Sequence, residues 1–218
     1  MFPGTLLRIR SVCRSCRSGL LLAVVTGMMA CNRVEEPKPR GYVRIDLPEH
    51  RYDTLSAGRP FCLEVPVYAQ LEQPEAMASE GGFNLVFPDY GATLYMTYKP
   101  VDDNLDRYLR DAQRMVQRTA RDPSDVQVSA MSFPERRIFG ALYDIGGDAA
   151  SAVQFFLTDS LNHFLRGALY FRQPARRDSL EPVIRFLRQD IGHLMETVSW
   201  KEPGHEKQSG DKVLPLRR

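Results

Sequence analysis

The chain has 218 residues, of which 29 are basic and 27 acidic, and removing the four arginines of residues 1–30 leaves 25 against 27, a net of −2. That balance lacks the basic surplus with which a nucleic-acid binder grips phosphates, so nucleic acid is not an expected partner. About 165 residues lie between the terminal segments, enough for one domain with a sizeable core.

The chain begins with Arg8, Arg10, Arg14 and Arg17, no acid among them, followed by an uncharged stretch from Gly19 to Ala30. A basic n-region, a short apolar h-region and small residues before a cut make a secretory signal of residues 1–30. The uncharged stretch is twelve residues long, and a spanning helix needs about 20. Gly27-Met28-Met29-Ala30-Cys31 has the form of a lipobox, with small Ala30 before the cut and bulky Met29 where a small residue is usual. Cys31 is therefore the expected lipid attachment site, since two or three acyl chains on one cysteine hold a protein at a membrane where a single chain binds reversibly. Cys13 and Cys16 form a C-x-x-C inside the segment that is cut away, and the mature chain keeps only Cys62 besides Cys31. A lone thiol makes no intramolecular disulfide, so the fold rests on its core.

Residues 31–41, rich in charge and carrying Pro37 and Pro39, read as an extended tether. A globular domain is expected over 42–200. Phe61 to Val65 gives a first strand. Phe83 to Phe87 and Thr93 to Tyr98 alternate around the turn signal PDYGA and predict a hairpin. Asn104 stands at the start of an amphipathic helix whose stripe is Leu105, Tyr108, Leu109, Ala112, Val116 and Ala120, stopped by Asp122-Pro123. Four apolar stretches follow: Val126 to Phe133, Ile138 to Ile145, Ala152 to Thr158 and Phe164 to Phe171. Their short connections predict an antiparallel meander, because a parallel crossover needs a dozen or more residues. A second helix is expected from Asp178-Ser179, with Glu181 completing a capping box, Pro182 in the first turn and Val183, Leu187, Ile191, Leu194 and Val198 as the buried stripe. Trp200 closes a core edge, and residues 201–218 read as a disordered tail. The class is α+β, a largely antiparallel sheet with two main helices, arranged as an α/β/α sandwich because several strands are apolar on both faces.

Few residues suggest chemistry. Asp159, Ser160 and His163 are the residue types of a hydrolase triad, yet they crowd into five positions, and no G-x-S-x-G elbow exposes the serine. They read as turn and strand residues, with no catalytic residue assigned. His50, His163 and His193 show no metal-ligand spacing, and IGGDAA is a hairpin turn with no phosphate-loop lysine, so neither metal nor cofactor is expected. Arg136-Arg137 and Arg176-Arg177 read as solvated turns. Asp144, Gln154 and Arg166 are polar among apolar neighbours; a buried arginine needs a partner, and Asp144 or Asp159 is the expected one for Arg166. With Asp159, Ser160 and His163 they make a polar cluster, either structural or partner-binding.

PKPRGYVRIDLPEHRY at 37–52, NLDRYLRDAQ at 104–113, GGDAASAVQFFLTDSLNHFLRGALYF at 146–171 and DSLEPVIRFLRQDIGHLMETVSWK at 178–201 resemble the gliding-motility lipoprotein GldD family. The resemblance implies a non-catalytic accessory component of the gliding and type IX secretion machinery, working through protein contacts and held by lipid on Cys31. The implied place is the cell envelope, and the periplasmic side of the outer membrane is the default expectation within it. An envelope hydrolase using Ser160 and His163, or a carrier of a small apolar ligand, are the alternatives.

Overall fold

Period-two runs of aromatic and β-branched residues fill the middle of the chain, and they form strands. The computed structural model describes residues 46–201, apart from 57, 148 and 173–176 and the side chains of 177 and 178. The signal of residues 1–30, Cys31, the tether of 31–41 and all of the tail beyond Lys201 lie outside the described residues. Among the described residues ten strands and three helices follow one another in chain order. They are β1 (Tyr52–Leu55), β2 (Phe61–Pro66), β3 (Gln70–Glu72), α1 (Glu75–Ala78), β4 (Gly82–Phe87), β5 (Ala92–Pro100), α2 (Leu105–Thr119), β6 (Val126–Phe133), β7 (Ile138–Ile145), β8 (Ser151–Thr158), β9 (His163–Phe171), α3 (Arg177–Thr197) and β10 (Ser199–Trp200). The class is α+β.

The strands form a seven-stranded sheet in the order β3-β4-β5-β9-β8-β7-β6 and a three-stranded one in the order β1-β2-β10. Every pairing is antiparallel. The meander β6 to β9 has the expected limits to within a residue and the hairpin β4–β5 to within two, since β5 runs on from Tyr98 to Pro100. The connection between them settles the topology: α2 carries the chain from the centre of the sheet to its far edge at β6, and the meander returns until β9 pairs with β5. A helix on that path lies over β7, β8 and β9.

Alternation along the strands gives the sheet two unlike faces. Phe83, Leu85, Leu94, Met96, Phe155, Leu157, Leu165 and Leu169 join the main core, where they meet Val183, Leu187, Ile191 and Leu194 of α3 and Val198 just beyond it. The same cluster takes Phe61, Leu63 and Val65 from β2, so the layer on this side combines a helix with the small sheet, where the sequence suggested a helix alone. Strand neighbours one residue on face the other way: Tyr95, Thr97, Arg166, Ala168 and Tyr170 lie beside Met115 and Thr119 of α2. The two long helices therefore cover opposite faces.

Details at the helix ends depart from expectation. Asn104 holds the N-cap position of α2, but its side chain makes no capping bond; its Oδ1 accepts from the Asp102 amide at 3.2 Å. Only Ala112 and Val116 of the α2 stripe are buried, because the helix lies on a partly polar sheet face. Pro182 lies inside α3 and not in its first turn, since the helix begins at Arg177. Trp200 belongs to β10, paired with Phe61 of β2, and Lys201 is still bonded into the domain through its amide to Pro60 O at 2.9 Å and its Nζ to Ser56 O at 2.8 Å.

Candidate functional site

The polar residues singled out from the sequence fall in three places and do not form one cluster. The first is the β8–β9 turn. Asp159 Oδ1 accepts the amides of Leu161, Asn162 and His163 at 3.0, 2.8 and 2.8 Å, while Thr158 Oγ1 accepts the Ser160 amide at 3.0 Å and donates to His163 O at 2.7 Å. Ser160 takes φ +69°, a left-handed conformation that lets the chain reverse within this network. The His163 ring lies flat against Trp200, with centroids 5.0 Å apart and planes at 3°, and its Nδ1 shares a 2.9 Å hydrogen bond with the Tyr98 hydroxyl. Asp, Ser and His thus hold a turn and a ring stack, which is a structural use of all three. Burial raises the Asp159 pKa, but the three amides and the His163 charge outweigh it and leave the carboxyl below its ordinary value.

The second place is the face of the sheet under α2. Gln154 Nε2 donates to Thr119 Oγ1 at 3.0 Å, and Arg166 Nη2 donates to Gln154 Oε1 at 3.5 Å. Burial lowers the Arg166 pKa, with Tyr170 and Asp111 opposing. Arg166, Arg118, Tyr95, Tyr170 and Thr97 line a cleft of about 370 Å³ at the margin of α2. Beyond the edge-to-face pair of Tyr95 and Tyr170, at 5.6 Å, a second cleft of about 270 Å³ is lined by Glu72, Asn84, Thr93 and Arg172. The first lining mixes Arg118 and Arg166 with Tyr95, Met115, Ala168 and Tyr170, and the second sets Arg172 beside Glu72, so neither selects one class of ligand.

The third place is the opposite face. Asp144 accepts from Arg188 Nε of α3 at 2.6 Å, and the expected pairing of Arg166 with Asp144 or Asp159 is not formed. Period two explains it: Asp144 shares a face with Leu142 in the main core, whereas Gln154 and Arg166 face α2. Asp144 is opposite Val153, and Thr158, next to Asp159, is opposite Phe139. Five strand residues, about 17 Å of backbone, separate Val153 from Thr158.

A further cluster surrounds a residue that the sequence reading passed over. Asp190, in the middle of α3, is 2% exposed. Its Oδ1 accepts from His50 Nδ1 at 2.7 Å and the Tyr52 hydroxyl at 3.0 Å, and its Oδ2 from the Tyr68 hydroxyl at 2.5 Å. Burial, and then the bond to Asp190, pushes the Tyr52 hydroxyl up to about 12 and raises Tyr68 further still, so both stay protonated donors. His50 stacks on Phe186 at 4.4 Å and Tyr52 on His193 at 3.7 Å, and His193 Nε2 meets Glu64 Oε2 at 2.6 Å. The signal was present in the sequence: spacings of three and four from Val183 and Leu187 place Asp190 within the apolar stripe, where a carboxylate needs donors.

Among the described residues no group of three or more His, Cys, Asp or Glu side chains could hold a metal ion, and no helix is long and apolar enough to cross a membrane. No curated protein matches the chain. The family model described as gliding motility lipoprotein GldD matches residues 32–200.

Proposed function

The chain belongs to the gliding motility lipoprotein GldD family, and from that premise we propose that it is a non-catalytic accessory component of the gliding and type IX secretion machinery, acting through protein contacts. Lipid on Cys31 holds it to the envelope, residues 31–41 are the tether, and the α+β domain faces the periplasm from the outer membrane. The observation that carries this reading is the family match over 32–200, which starts at the residue after Cys31. The structural employment of Asp159, Ser160 and His163 supports the non-catalytic part.

The test is intact-mass analysis of membrane-extracted protein beside a Cys31→Ala variant, with both alleles used to complement a deletion strain. A wild-type mass equal to residues 32–218 plus an acylated cysteine, loss of Cys31→Ala from the membrane fraction and failure of that allele to restore secretion or gliding are the expected results. A soluble wild-type protein cut elsewhere, or full complementation by Cys31→Ala, refutes anchoring as the mechanism.

A further inference from the structure

The two edges of the large sheet differ. At one edge β3 is three residues long and ends in Glu72, and a short strand with a terminal charge is a common way to blunt an edge. At the other, β6 runs for eight residues, Val126–Phe133, in unbroken register with β7 from Val126↔Ile145 to Phe133↔Ile138. Its sequence, VQVSAMSF, contains no charge, no proline and no glycine, and five of its eight residues are exposed. Val128 is 58% exposed. The strand has no bulge to twist it away, and no described segment pairs with its outer side. In an antiparallel edge every second residue turns its N–H and C=O outward, so β6 offers a row of backbone donors and acceptors flanked by uncharged side chains, small or β-branched at Val128, Ser129, Ala130 and Ser132.

We propose that β6 is a docking edge on which an extended, uncharged segment of a partner protein adds as an eighth strand. The backbone row selects an extended polypeptide, and the absence of charge along it selects a segment that carries none. A second copy of this chain is a poorer occupant. Eight residues at roughly 3.3 Å each, across a sheet about 10 Å thick, give about 260 Å² per side, roughly a third of the ~800 Å² that a stable pair of rigid proteins buries on each partner. A flexible segment needs no matching rigid surface and can follow the edge along its whole length. The proposal rests on the reading that the protein works through protein contacts, and it names the surface and the form of the partner.

The test places a photo-crosslinking residue at Val128 or Ala130 of the full-length lipoprotein in cells, with Leu161, 61% exposed in the β8–β9 turn, as the control position. The crosslinked peptide is identified by mass spectrometry, synthesised and added to the purified full chain, and amide hydrogen exchange of β6 is followed. Expected are an adduct from β6 positions and not from Leu161, slowed exchange at alternate β6 amides, and at least a tenfold loss of adduct in a Val128→Lys/Ala130→Lys variant whose unfolding midpoint is unchanged. An adduct containing only this chain's own peptides assigns the edge to a second copy and overturns the proposal. So does the absence of an adduct, or protection without the alternate pattern. Failure of this test together with loss of function in Cys31→Ala leaves the accessory role standing, whereas full complementation by Cys31→Ala removes the anchored role whatever β6 binds.

Discussion

Asp190 shows how one carboxylate can tie distant parts of a chain together. Its three donors come from His50, Tyr52 and Tyr68, more than a hundred residues upstream, and truncation strands all three at once. Asp190→Ala is expected to cost about 3 kcal/mol, the usual scale for removing one partner of a buried charged network, read as a lowered midpoint in chemical denaturation. A loss under about 0.5 kcal/mol, the range of an ordinary surface change, refutes the assignment. His163 makes a second prediction, one of sign. Burial depresses its pKa, Asp159 opposes this and Arg137 adds to it. The unfolded imidazole takes a proton near pH 6.5, so the stability that His163 contributes is complete above that value and drains away as pH falls toward the lower folded pKa. Asp159, also depressed on balance, has its contribution in full above the unfolded carboxyl value and loses it as pH falls through the folded one. Denaturation midpoints are expected to decline in two stages from neutral pH to about pH 3, and His163→Gln is expected to remove the upper stage. At this scale the turn was legible, because Asp and Ser in a short connection have few uses other than bonding amides. The partner of Arg166 was not, since proximity in sequence says nothing about which face of a sheet two residues share until the register is known.

Elements follow from packing as much as from local sequence, and two glycines make the difference measurable. Gly140 lies in β7 where a Cβ would fall on the Phe156 carbonyl oxygen, a backbone atom held in the β7–β8 ladder, and also meet Leu157 Cδ2 at 2.8 Å. Gly192 lies in α3 with nothing within 4 Å of the position a Cβ would take. Gly140→Ala is expected to destabilise by about 1–3 kcal/mol through overpacking, and Gly192→Ala to stabilise by about 0.8–1 kcal/mol through helix propensity. Opposite shifts of the denaturation midpoint bear this out, and shifts of the same sign do not. Long periodic elements were readable: the hairpin, the meander and both long helices appear within a few residues of their expected limits. The missed elements, β1, β3, α1 and β10, are two to four residues long. Such pieces have no period to detect, and they exist because β2, β4 and the end of α3 give them something to pair with or pack against. Pro182 misled for a related reason: a proline preference marks a first turn, whereas here an extra turn of helix precedes it.

The class of the whole molecule was legible because short connections force antiparallel neighbours and a long amphipathic helix must find a face. The mixed layer of α3 and the small sheet was not, since its pairing of β2 with β10 joins residues 61–62 to residues 199–200, a closure that no local pattern announces. That closure brings the two ends of the described chain together on one side of the core: β1 and β10 flank β2, and Tyr52 reaches α3 through Asp190. Under the proposed anchoring through Cys31 this has a mechanical meaning. Tension drawn along the chain toward β1 reaches His50 and Tyr52, and both side chains end on the same oxygen of Asp190. A pull on β1 is therefore shared with α3, whose Leu187, Ile191 and Leu194 are set in the main core, and does not fall on the β1–β2 pairing alone.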